Sequence, residues 1–330
     1  GGGILTNTAN TTTQFPGGGV AIEGGTADLN GGEIRGNVAY RGGGVMVSNG
    51  TANLNGTDVL SNTSTYGGGF YLRTVNALLA HSNGRIDHNT ATATAFGGGG
   101  IYIFYGTYRA TGGTLSHNTS AHDGGGVHIA NGTADIDNLT LVGNTTATSN
   151  GALGGAIHIR GAAGVLTLTN STLSANVPHA LTLGNEGGAM TVKGNTIDSH
   201  ETALVQNSGN VTAYANNIVS NTTGINQTGG SADVGHNWWG DGATAVTIGD
   251  AAGFDYRLGA PVISWGDGGL ADGAAIGGGV EFYRPATVTE SVRLLAQRSL
   301  ALHQANPQLS QAILVREHRQ GRFINQLLHD

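Results

Sequence analysis

The sequence predicts an all-β fold: a right-handed single-stranded parallel β-helix of about ten coils, three short strands to a coil, with a small α-helical extension at its C-terminal end. Three observations carry this expectation. A Gly-rich tetrad recurs from Gly17, Gly42, Gly67, Gly98, Gly124 and Gly154, at separations of 25, 25, 31, 26 and 30 residues. Apolar residues between the tetrads alternate with a period of two, which excludes helix and sends every second side chain inward. Each repeat closes on the pattern apolar-x-x-Asn.

The first strand of each coil follows the tetrad: Val20-Ala21-Ile22, Val45-Met46-Val47, Phe70-Tyr71-Leu72, Ile101-Tyr102-Ile103, Val127-His128-Ile129 and Ile157-His158-Ile159. Its two outer residues point inward and its middle residue outward. The second strand reads Ala27-Asp28-Leu29, Ala52-Asn53-Leu54 and Ala134-Asp135-Ile136. The third ends at Asn37, Asn62, Asn89, Asn118, Asn144 and Asn176, and again at Asn221, with His200 in the equivalent place between the last two. Stacked at about 4.8 Å, identical Asn side chains pass amide hydrogen bonds from coil to coil. The Gly tetrads supply the close approach and positive φ of a corner. The series fades near Asn237-Trp238-Trp239-Gly240, where the Trp pair is expected to plug the last coil. Residues 1–240 are therefore read as solenoid and 241–285 as its terminal, capping region.

Composition narrows the class. Of 330 residues 59 are Gly and none is Cys, which removes thiol chemistry, Cys-based zinc sites and disulfides together. There is no strict Gly-X-Y period, so collagen is excluded. Charged residues are only 11% and hydrophobic ones 38%, which argues against charge-driven disorder. A net charge of -7 offers phosphates no basic surface, so nucleic acid is not an expected partner. No apolar run approaches the roughly 18 residues of a membrane-spanning helix. The chain opens Gly1-Gly2-Gly3 without Met or a basic-apolar leader, and a processed or partial product is expected.

The pairing of Gly-Gly-Ala-Ile at 154–157, and its Gly-Gly-Gly-Val relatives, with apolar-x-x-Asn resembles the repeats of polymorphic outer membrane proteins, whose passengers are right-handed β-helical surface adhesins. Those repeats usually carry Phe where this chain has Ile, Val or Leu. Asn237-Trp238-Trp239-Gly240-Asp241, Phe254-Asp255-Tyr256-Arg257-Leu258 and 275–282 are similar to the end of such repeat domains in bacterial surface proteins. The resemblance covers roughly residues 1–284 and implies an extracellular or cell-surface location. The β-barrel translocator of that family is not apparent after residue 240. The same fold also carries polysaccharide lyases and hydrolases, so fold alone does not decide activity.

After Pro285 the composition changes, and 286–330 reads as helical. Thr287-Val288-Thr289-Glu290 fits a capping box, followed by Val292, Leu295 and Leu302; Asn306-Pro307 opens a second helix with Leu309, Ile313, Leu314 and Arg316, and a last turn carries Phe323, Ile324, Leu327 and Leu328. This segment has five Arg against three acids, whereas the rest of the chain has 9 basic and 18 acidic residues. A basic amphipathic segment beside an acidic solenoid either caps its own coil or docks on a neighbouring copy, and the second arrangement generates filaments.

No catalytic group emerges. Outward acids are few and scattered, and Lys193 is the single Lys. The outward column Met46, Tyr71, Tyr102, His128 and His158, flanked by Arg73, Phe104, Tyr105 and Tyr108, is expected to form a surface patch for a host or cell-surface glycan or protein. His88 and His117 stack before ladder Asn residues, as His128 and His158 stack in the first strand. With no convergent acids legible, ordinary surface stacking is expected and no metal or cofactor; the Gly-rich turns at Asp267 and Asp272 lack the spacing of calcium loops. The chain is thus read as a self-assembling structural or adhesive solenoid, the alternative being a polysaccharide-binding or polysaccharide-degrading β-helix.

Overall fold

A computed structural model describes residues 2–9, 17–147, 153–234, 237–238 and 245–247. The chain divides into two units, Gly1–Gly279 and Val280–Asp330, and the described residues all belong to the first. They form a parallel β-solenoid with no helix among them. The expected helical segment, with Leu295, Leu302, Leu309, Ile313, Arg316, Phe323 and Leu327, lies outside the described residues, as do Asp267 and Asp272.

Four parallel sheets run along the solenoid rather than three. The first has ten strands, from Val20–Ile22 to Ala245–Thr247; the second nine, from Gly25–Asn30 to Ser231–Asp233; the third nine, from Gly3–Leu5 to Asn217–Val219. Nine strands in one sheet make eight full turns, fewer than the ten coils expected, and a rise of about 4.8 Å per turn gives about 38 Å along the axis. The fourth sheet joins five short strands: Val38–Arg41, Thr63–Tyr66, Thr90–Ala91, Thr119–Ser120 and Thr145–Thr146. Its inward residues Ala39, Ser64, Ala91, Ser120 and Thr146 are small and buried, so they leave no apolar alternation to read.

The core is built as the period of two requires. Ile22, Val47, Leu72, Ile103, Ile129 and Ile159 stack in register from the first sheet, and Leu54, Leu168 and Val192 from the second, against Ile34, Val59, Ile86, Leu115, Leu141 and Leu173 of the third. Gly68 shows why the tetrad is glycine. A Cβ there would lie 2.4 Å from the carbonyl oxygen of Gly99 and 2.6 Å from the nitrogen of Thr90, both one coil on, because the fourth sheet turns back against the tetrad.

At the corner after the third sheet, Asn37, Asn62, Asn89, Asn118, Asn144, Asn176 and Asn221 stand in one buried column that starts at Asn7. The Asn89 side chain shows the pattern. Its Oδ1 accepts from the backbone N–H of Asn62 at 3.0 Å and from Asn62 Nδ2 at 2.9 Å. Its Nδ2 donates to the Val59 carbonyl at 2.9 Å and to Asn118 Oδ1 at 3.0 Å. Every polar atom of the amide is satisfied. His200 continues the column: Nδ1 lies 3.0 Å from Asn221 Oδ1 and Nε2 3.2 Å from Asn176 Nδ2, so a neutral imidazole donates through one nitrogen and accepts at the other. The residue before each member is left-handed, with φ between 48° and 65° from Thr6 to Ser220. A second ladder, Ser171, Asn195, Asn216 and Asn237, forms at the turn between the second and third sheets of the last coils. Trp238 follows it and pairs with Asn217.

Replacing Asn89 by Ala removes the side-chain partner of the buried Asn62 backbone N–H and of the Val59 carbonyl, at about 1–3 kcal/mol each, while Asn118 Oδ1 keeps the backbone N–H of residue 89. The expected loss is about 3 kcal/mol or more, read as a lowered urea midpoint, whereas Asn53→Ala on the exposed second sheet loses less than about 1 kcal/mol.

Candidate functional site

The column expected as an exposed patch is buried. Met46, Tyr71, Tyr102, His128 and His158 point out of the main core as the alternation requires, yet none exceeds 5% exposure. They are covered by the ends of fourth-sheet strands, by the loop that carries Phe96 and by Arg160 just after the first-sheet strand Ile157–Ile159. Tyr66 and Phe96 pack on the column, Arg41 lies 5.3 Å over the Tyr71 ring, and Arg160 sits 3.8 Å over Phe96. Beneath this roof Tyr71 and Tyr102 stack at 5.3 Å, and Tyr102 and His128 at 5.0 Å. Burial raises both phenols above their ordinary range. Of the flanking residues only Tyr105 is exposed; Phe104 and Arg73 are half-buried.

Tyr108 is likewise a correction. It sits at an inward position of the second sheet, next to outward Arg109, and is fully buried. Its hydroxyl donates to Nδ1 of His81 at 3.0 Å, while His81 Nε2 lies 3.3 Å from the carbonyl of Gly84. Burial pushes His81 down to about 4, against the smaller opposing effect of the Gly84 carbonyl. This polar pair inside an apolar core is satisfied as a neutral imidazole.

Two clusters of His and Asp do converge, contrary to the expectation that acids would be absent. At the surface, Asp87 stands between His88 and His117, whose Nδ1 atoms lie 2.8 and 3.1 Å from its two oxygens. The rings stack at 4.9 Å, and Ser116 donates to the carboxylate at 2.7 Å. Burial opposes ionisation of Asp87, but these hydrogen bonds outweigh it and hold the carboxyl below its usual range. Both His residues occupy the left-handed corner that Gly36 and Gly143 fill in other coils.

The second cluster is buried: Asp123, His128 and His158, with ligating atoms all within 4.8 Å of one another. His128 and His158 are register partners on adjacent first-sheet strands, with rings at 5.1 Å and nearly perpendicular. Asp123 reaches them from the loop before the next tetrad. One oxygen accepts from the N–H of Leu153 at 3.0 Å, and the other lies 3.3 Å from His158 Nδ1 and 3.0 Å from His122 Nδ1. Burial alone raises the Asp123 carboxyl, but His158, then His128 and the Leu153 amide, bring it to about 2. Burial, then the neighbouring His158, pushes His128 well below the ordinary imidazole value.

Several outward carboxylates hold coils together. Asp58 receives Arg85 through Nε at 3.1 Å, Nη2 at 2.7 Å and its backbone N–H at 3.0 Å. Asp28 accepts from Asn53 at 2.7 Å, and Asp137 from Thr169 and Asn170 at 2.7 and 2.8 Å. Glu33 and Asp58 are register partners in the third sheet, but with Asp58 held by Arg85 they are not a free acid and base.

No known protein family matches the chain, and searches of curated proteins and of solved structures find no match.

His81 and His200 are both held near 4, below the 6.5 of an unfolded chain, His200 mainly by burial. The folded state therefore binds fewer protons than the unfolded one, so stability is complete above pH 6.5 and falls as pH drops toward 4. Each group contributes a slope of up to about 1.4 kcal/mol per pH unit in that window. Denaturant midpoints from pH 7.5 to 4.5 are expected to fall, and His200→Asn, which keeps a ladder amide, to flatten the fall.

Proposed function

We propose that this chain is a structural and adhesive solenoid displayed outside the cell, resembling the passengers of polymorphic outer membrane proteins, and that it self-assembles through its terminal segments. The observation that carries the reading is the use of the outward polar groups: the contacts of Asp28, Asp58 and Asp137 run coil to coil, as do the two Asn ladders. Such a surface reinforces a rod. Val75 and Tyr105, in equivalent turns of consecutive coils, are 73% and 44% exposed and provide apolar anchors for a partner protein or glycan. The basic segment 286–330 complements the acidic remainder of the chain, and a second copy is its expected partner.

The test is negative-stain microscopy of the full chain beside one ending at Pro285, at matched concentration and salt. Filaments from the full chain and separate rods from the shortened one are expected. Separate rods from both would remove the self-assembly reading and favour a monomeric polysaccharide-binding or polysaccharide-degrading protein.

A further inference from the structure

We propose that Asp123, His128 and His158 form a buried site for a divalent transition-metal ion, zinc being the probe of choice. The burial of unpartnered ligands points to it. Neither ring nitrogen of His128 makes a hydrogen bond, nor does Nε2 of His158, whose Nδ1 has only the Asp123 carboxylate at 3.3 Å, although both side chains are almost fully enclosed. Leaving such groups unpaired costs about 1–3 kcal/mol apiece, so a core that merely needed to fill this column would continue the Tyr71–Tyr102 stack with another aromatic. Instead the column changes to two imidazoles at the coil where a carboxylate arrives from the loop.

The donor set selects the ion. Two imidazoles and one carboxylate suit zinc, copper or nickel, whereas calcium and magnesium require a shell of oxygens that one Asp does not supply. In a tetrahedral zinc site with bonds of about 2.0–2.1 Å, neighbouring ligand atoms lie about 3.4 Å apart. Here the three lie within 4.8 Å, so rotation of the side chains by roughly 1 Å closes the set. The backbone of Gly184, one coil on, packs closely against His158: a Cβ there would come within 2.9 Å of Nε2, so glycine is what lets the ring keep its place. Leu153 N–H orients the Asp123 carboxylate as an outer partner. A fourth position falls to water or to His122 Nδ1, already 3.0 Å from the carboxylate. The one nearby cation, Arg160, is neutralised by Glu186 at 2.9 Å. Bound there, the ion ties two successive coils to a loop and acts as an axial staple.

The experiment uses the full-length chain with His88→Gly and His117→Gly, which removes the surface cluster at a corner where Gly36 and Gly143 already stand. After treatment with chelator and exchange into zinc, one zinc ion per chain is expected to be sensitive to the buried residues. A melting temperature about 5 °C or more higher is expected at a hundredfold excess over the dissociation constant. Adding His128→Phe, which keeps a ring against Tyr102, should abolish that ion and its stabilisation while leaving the metal-free protein folded and at least as stable. Asp123→Asn, which still accepts the Leu153 N–H, provides a second variant should the first misfold. Zinc-edge X-ray absorption should show two imidazoles and a carboxylate in the parent. Failure of the parent to retain zinc, or equal zinc binding and stabilisation in parent and folded variants, would overturn the proposal.

Discussion

The structure depends on one requirement: each coil must satisfy its buried polar groups on the coil above and the coil below. Backbone ladders do this along the strands, but at the corners the backbone turns and its N–H and C=O groups lose their sheet partners. The Asn column solves the problem at one corner. A primary amide carries both a double acceptor and two donors, so it can take the backbone N–H and side-chain N–H of one neighbour while donating to the other. Leu has no such groups and Asp has no donor. His200 meets the same need because a neutral imidazole also has one donor and one acceptor, and its depressed pKa is the consequence of being buried in that role.

Much else in the chain follows from this column. To bring its side chain inward, each member is preceded by a residue in the left-handed region, whether Gly, Ser, Thr, Ala or His. The chain then runs into the fourth sheet, whose small inward residues let the tetrad of the next coil approach to backbone contact. The insertion before Gly98 is accommodated beyond the fourth sheet, where Phe96 packs over the outer face of the first.

The fold was legible because the signals were periodic. Gly spacing, alternating triplets and apolar-x-x-Asn together mark the coil and the inward face of three sheets. The fourth sheet was not legible, since Thr63-Ser64, Thr90-Ala91 and Thr119-Ser120 look like turn residues; their recurrence after the ladder Asn is the signal that was there to read. The later ladder at Asn195, Asn216 and Asn237 has a constant spacing of 21 residues but begins after the period has changed. The outward column was assigned its direction correctly and its exposure wrongly, because a period of two reports which face a residue occupies and not whether a loop covers that face. For the same reason the approach of Asp123 to His128 and His158 was not legible, since it comes from a loop outside the repeat, whereas Asp87 ends a third-sheet strand beside the repeated corner where His88 and His117 stack.

A solenoid with a roofed outer face has two interiors. The main one is apolar and repetitive, and the smaller one, bounded by Tyr66, Phe96 and Arg160, is where side chains depart from the repeat. Distinct chemistry concentrates there and on the corner His pair, while Asp28, Asp58 and Asp137 on the outward surface are engaged in bonds between coils. The measurement that tests the central role of the ladder most directly is native-state hydrogen exchange resolved to single residues. If the ladder holds the coils, the backbone amides of Asn62, Asn89 and Asn118 exchange only with global unfolding, as slowly as the core strands. Exchange of those amides as fast as that of the turn around Tyr105 would contradict the account.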